Sequence, residues 1–132
     1  MDIIKENKET IAIVFYEKDW KKGLNFLTED KEYIQVATWW YDKDRISPSH
    51  KHKRNKRIVE RTQETVFVKK GSIEIKLYNE ANKKIKTVIL KSGDIIIILG
   101  GGHSYKILEN STQAIEFKNG PFLGVEIDKT LI

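Results

Sequence analysis

The chain has no cysteine, one methionine and two prolines among its 132 residues. Without thiols, disulfide stapling and thiolate ligation are both excluded, so a bound metal would need nitrogen and oxygen donors. Long apolar runs are also missing. The longest, Ile95 to Leu99, is far too short to cross a bilayer as a helix. The start, Met1-Asp-Ile-Ile-Lys5, lacks the basic stretch and apolar core of a secretory signal, so a cytoplasmic location is the default expectation. No sustained amphipathic helix pattern occurs, and Met1–Lys8 reads at most as a turn. Internal repeats and low-complexity segments are absent as well.

What is present suits one globular domain spanning 1–132. Hydrophobic residues make up 39% and charged residues 33%, enough of each to build a core and solvate its outside. The net charge is +5 and unevenly spread, since Lys51, Lys53, Arg54, Lys56 and Arg57 crowd one short stretch. Such a run reads equally as a solvated loop or as a rim that attracts anions. Nucleic acid is an unlikely partner, because no helix-turn-helix, zinc-finger or aromatic RNA-binding signature accompanies the charge.

Short β patterns fill most of the remainder. Thr10–Tyr16 alternates, with Ile11, Ile13 and Phe15 on one face, and Tyr33–Tyr41 is dense in aromatic and β-branched residues. The stretch containing Trp20, Leu24, Phe26 and Leu27 resists assignment. Trp39 and Trp40, on a regular strand, point to opposite faces, so at most one lines an interior. Further strands are expected at Glu64–Lys69, Ser72–Tyr78, Ile85–Leu90, Ile95–Leu99, His103–Leu108 and Gln113–Lys118. Between Ser72 and Tyr78, Ile73, Ile75 and Leu77 point in while Glu74 and Lys76 point out. Ile95–Leu99, apolar throughout, suits a strand covered on both faces. Ser92-Gly-Asp94 and Asn110-Ser-Thr112 are turns, and Asn119-Gly-Pro121 ends the last strand. Many short strands and no helix indicate an all-β sandwich or barrel.

The chemistry-bearing residues fall inside this pattern. His50 and His52 stand two apart and share a face if the chain is extended, while Glu64 shares its face with Val66 and Val68. The third histidine, His103, follows three glycines. Tyr105 has the parity of His103 and packs as a core residue or reaches the same mouth. Arg61 is a candidate for gripping an anionic group, or else a surface residue. Glu116 and Lys118 read as a surface pair of little energetic weight.

His50-x-His52, Glu64 six residues before Gly71, Gly93-Asp94 and the glycine-led His103 together resemble the two motifs of the cupin family, from roughly Tyr33 to Pro121. The chain looks like a small single-domain bacterial cupin of unassigned activity. The resemblance implies a double-stranded β-helix (jelly-roll) barrel over 33–121 with an N-terminal strand extension at 1–32. It also implies one divalent metal (Fe, Mn, Zn or Ni) held by His50, His52, Glu64 and His103, and a homodimer. Two departures stand out. Eleven residues separate His52 from Glu64, longer than the family pattern, which keeps Glu60 open as the carboxylate; and Ile98-Leu-Gly100 replaces the usual proline-x-glycine.

The looser likeness of Arg61-Thr-Gln-Glu64, Gly100–His103 and Glu116–Phe122 is to cupins related to surface-polysaccharide metabolism. The expectation is a metal-dependent enzyme or binder acting on a small, anionic, carbohydrate-related molecule, with Arg61 and Tyr105 near the substrate. The alternative is a non-catalytic small-ligand sensing module, metal-free in one version.

Overall fold

The computed structural model describes residues 1–132. Ten strands form in chain order: β1 (Asp2–Glu6), β2 (Glu9–Phe15), β3 (Gly23–Phe26), β4 (Ala37–Trp40), β5 (Glu64–Lys70), β6 (Ser72–Tyr78), β7 (Lys84–Lys91), β8 (Ile95–Ile98), β9 (Gly102–Ile107) and β10 (Gln113–Lys118). One four-residue helix, α1 (Val125–Asp128), follows the last strand, and no helix is long and apolar enough to cross a membrane.

The strands assemble into three antiparallel sheets, ordered β1-β2-β8-β5-β10, β7-β6-β9 and β3-β4. The first two face each other. Ile4, Ala12, Val14, Val66, Val68, Ile96 and Ile98 from the five-stranded sheet pack against Ile73, Ile75, Leu77, Val88 and Leu90 from the three-stranded one. Burying such aliphatic side chains contributes about 1.5–3 kcal/mol each, the main favourable term available to a chain without disulfides. The sheets do not close on each other, so the barrel that the sequence suggests is present only as an open, mostly β architecture.

Strand β8 is covered on both sides. Ile96 and Ile98 enter the main core, while Ile97 joins Ile13 and Leu99 in a second cluster under Leu27, Ile34 and Val36. The same double covering changes the reading of β2. Its Ile13 face looks away from the main core, and Ala12 and Val14 fill the interior.

Two tight turns fix the sandwich. Gly93 has φ +90°, and a Cβ there would come within 2.7 Å of the Glu17 side chain. Next to it Asp94 accepts hydrogen bonds from the Glu17 N–H (2.9 Å) and the Lys91 N–H (2.8 Å), tying the β7–β8 turn to the chain after β2. Gly101 has φ +69°, and a Cβ would approach the Tyr78 carbonyl oxygen at 2.2 Å, so only glycine lets the chain enter β9 there.

The N-terminal third departs most from the sequence pattern. Within Met1–Lys8, Asp2–Glu6 is a strand that pairs with β2 as a hairpin. The strand expected over Tyr33–Tyr41 shrinks to Ala37–Trp40 and pairs only with β3, with Leu24 opposite Trp39. Neither tryptophan lines an interior: Trp39 is 63% exposed and Trp40 45%. From Tyr41 to Gln63 the chain has no regular structure, and every residue from Tyr41 to Thr62 is exposed.

Candidate functional site

The site is set by cross-strand register. On the three-stranded sheet, His103 lies opposite the fully buried Leu77, and Tyr105 opposite Ile75. Residues paired across antiparallel strands project to one face, so both aim into the gap between the sheets. On the other sheet Lys118 lies opposite Glu64, and Glu116 opposite Val66, which places them on that same inner face. β9 and β10 are each the last strand of their sheet, and contacts to Glu64 join them in the gap between the two sheets.

Glu64 is the centre of the cleft, only 4% exposed. The His103 Nε2–H donates to its Oε1 at 2.8 Å, and the Tyr105 hydroxyl donates to the same oxygen. Lys118 Nζ lies 3.1 Å from Oε2 and 2.9 Å from Glu116 Oε1. Burial alone would raise the Glu64 carboxyl. Hydrogen bonds from His103 and Tyr105, the nearby imidazole charge and the Lys118 ammonium outweigh it and hold the carboxyl down at about 2. Burial of the Tyr105 hydroxyl, with its bond to Glu64 and the negative charge of Glu64 and Glu116, pushes the phenol well above its usual range. For Lys118, partial burial works against the charged form. Its bonds to Glu116 and Glu64 prevail and push it up to about 12.

One atom is left over. His103 Nδ1 is buried and has no hydrogen-bond partner. With Nε2–H committed to Glu64, Nδ1 is the ring nitrogen left over, on an imidazole whose orientation a buried carboxylate fixes.

The remaining predicted residues lie elsewhere. His50 and His52 do share a face, their rings meeting edge to face at 5.4 Å, but both sit exposed in the irregular segment between β4 and β5. The His50 Nδ1–H donates to the Pro48 carbonyl at 3.0 Å. Glu60 is exposed in the same segment, so of the two carboxylates Glu64 is the one that is buried beside a histidine. Arg61 is also exposed. It borders clefts that it shares with Glu9, Glu32 and Glu80 and with Lys8 and Lys31, carboxylates and ammonium groups together.

No three His, Asp or Glu side chains converge as a metal-binding group. As placed, Glu64 does not fit a divalent ion, because both its oxygens are taken by protein donors and one of those is an ammonium.

Two features escaped the sequence reading. Lys118 does pair with Glu116, as expected, but it is also the counter-charge of the buried Glu64, with its side chain 24% exposed. Gln63 is a buried anchor: its N–H donates to Asn119 Oδ1 at 2.6 Å, its Oε1 accepts from the Ile34 N–H at 3.0 Å, and its Nε2 donates to Glu32 at 2.6 Å. The signal for Lys118 was parity with Glu64 across β5 and β10, readable only once their register is known. No family model, no curated protein and no solved structure matches this chain.

Proposed function

We propose that the protein is a cupin-like binding protein or enzyme whose open jelly-roll cleft takes a small, anionic, carbohydrate-related molecule at the Glu64–His103–Tyr105–Lys118 cluster. The observation that carries this reading is the unpartnered Nδ1 of His103, a buried ring nitrogen oriented by a buried carboxylate. An imidazole held in this way can take a proton from a bound ligand, and Glu64 then stabilises the imidazolium. The Tyr105 hydroxyl, held protonated, can donate to a ligand oxygen once it turns from Glu64. The Lys118 ammonium supplies positive charge for an acidic group. This chemistry uses the chain's own side chains, and no step is routed through a metal.

The test is saturable binding of inorganic phosphate, a hexose phosphate and a uronic acid, followed by imidazole nitrogen NMR. Binding should shift the His103 resonances, and His103→Ala should weaken affinity at least tenfold with the fold intact. Equal affinity in that variant would remove the cleft from consideration. Near-stoichiometric iron, manganese, zinc or nickel in protein purified without chelators would replace this reading with the four-ligand centre.

A second reading has its own support. All three donors to Glu64 are satisfied within the protein, a closed network that suits a binding module without turnover. Ligand affinity with no chemical change in any bound compound is what it predicts.

A further inference from the structure

The chain after β10 begins and finishes beside the two groups that define the cleft. Its first residue, Asn119, follows Lys118, the partner of Glu64, and donates its N–H to the Gln63 carbonyl at 3.3 Å. Its far end packs on Gly102, the residue before His103, where a Cβ would come within 2.7 Å of the Ile132 side chain. Gly102 lies opposite Tyr78, whereas His103 lies opposite the buried Leu77, so Ile132 sits on the outer face of the three-stranded sheet. To reach it, the chain crosses from one sheet to the other around β9. The missing side chain of Gly102 leaves the space that Ile132 fills.

Little holds this stretch down. None of residues 119–132 is buried, and Phe122, Leu123, Val125, Ile127 and Leu131 are exposed. The hydrogen bonds of α1 are local, between Gly124 or Val125 and the residues just after them. Beyond Asn119 a single hydrogen bond, from the Thr62 hydroxyl to the Asp128 carboxylate, ties the stretch to the body. Beneath it lies an unfilled cavity of about 400 Å³, bordered by Thr62, Asn119, Leu123, Ile127 and Asp128. Segments with few buried contacts open locally at small cost, and lids are drawn from them.

We propose that residues 119–132 are a strap that gates the cleft. Seated on Thr62 and Gly102, it closes the opening at Glu64 and His103. Released from those two points, it lets a small anionic molecule reach Nδ1 of His103. The His103 side chain is 28% exposed, yet Nδ1 is covered and has no partner, as a gated site requires. That the gate governs ligand entry rests on the cleft reading above; the gating of His103 itself does not.

The three histidines supply the measurement. Diethyl pyrocarbonate acylates accessible imidazoles, and the exposed His50 and His52 serve as internal standards for His103. Asp128→Ala combined with Ile132→Ser deletes both attachments and removes no buried side chain. Loss of one hydrogen bond and one apolar contact should raise the rate at His103 about tenfold. The rates at His50 and His52 should stay as they are. Gly102→Val, which fills the seat of Ile132 from the outer face, should act in the same direction.

The absence of native cysteine permits the converse experiment. Thr62→Cys with Asp128→Cys, bridged by a short bis-methanethiosulfonate, locks the strap down. His103 should then react more slowly than in the same protein after the bridge is reduced.

Equal His103 rates in the released, locked and wild-type proteins would overturn the proposal and leave the stretch as a tail beside the cleft. Inorganic phosphate and a hexose phosphate separate the strap from the cleft reading. If His103 reactivity follows the strap but neither compound binds, the strap stands and the cleft reading falls. If either compound binds equally well and equally fast in all three proteins, with His103 reactivity unchanged, the strap alone falls.

Discussion

Glu64 is a carboxylate kept ionised where burial would otherwise neutralise it. A group whose folded value is depressed contributes stability that is complete above its unfolded value of 4.5 and is lost as the pH falls through its folded value of about 2. The shift corresponds to about 3 kcal/mol. Stability measured by urea unfolding should therefore drop between about pH 5 and pH 2. Glu64→Gln should flatten that dependence while being less stable than wild type at pH 7, because it leaves Lys118 and His103 without their anion. An unchanged slope in the variant would mean that other carboxylates govern acid unfolding.

Lys118→Met removes the ammonium but keeps the stem. It should raise the Glu64 carboxyl from its low value, seen as an upward-shifted titration in carboxyl carbon NMR. A value still near 2 would show that His103 and Tyr105 suffice. At this scale the sequence displayed part of the site. The burial of Glu64 and the inward aim of Tyr105 followed from alternation with Val66 and with His103. The Glu64–Lys118 contact did not, since it joins strands separated by four others in the chain.

At the scale of elements, Asp94 shows how a turn holds two segments together. Its carboxylate accepts the backbone N–H groups of Glu17 and Lys91, and the residue is 7% exposed. Asp94→Ala leaves both donors without a partner and should cost about 2–4 kcal/mol, whereas Asp94→Asn, which retains one acceptor, should cost less. Thermal midpoints for the two variants check the order. Strands β6 and β7 were readable from alternation between a filled interior and a wet exterior, and β8 from its uninterrupted apolar run, which is covered on both sides. Strand β1 was not, because Ile3 and Ile4 are too short a run to declare a period. Strand β4 was legible within Tyr33–Tyr41, though it is shorter, whereas β3 resisted assignment. Leu24, Phe26 and Trp39 are exposed, and propensity says nothing about which surface a strand will meet.

For the whole molecule, two packed sheets with unpaired edges leave a gap on one side, and the functional groups collect there. Composition and pattern led to the all-β class. They could not fix sheet closure, and the sheets stay open. The same dependence separates the histidines. His103 is located by its register with β6, while His50 and His52 belong to a segment that no ladder holds.

That segment also has a covalent consequence. Between Lys51 and Arg57 it presents five lysines and arginines on irregular, exposed backbone, and the elements at the two ends of the segment are interleaved rather than side by side. β2, from before the segment, pairs onto β8, which follows it, and β1 and β2 supply Ile4, Ala12 and Val14 to the common core. Brief trypsin treatment should therefore cut between Lys51 and Arg57, yielding two fragments that still migrate as one folded particle and separate only in denaturant. The chain is in this sense already divided at a permissible place, and the two pieces, expressed apart and mixed, should find each other and rebuild the sandwich.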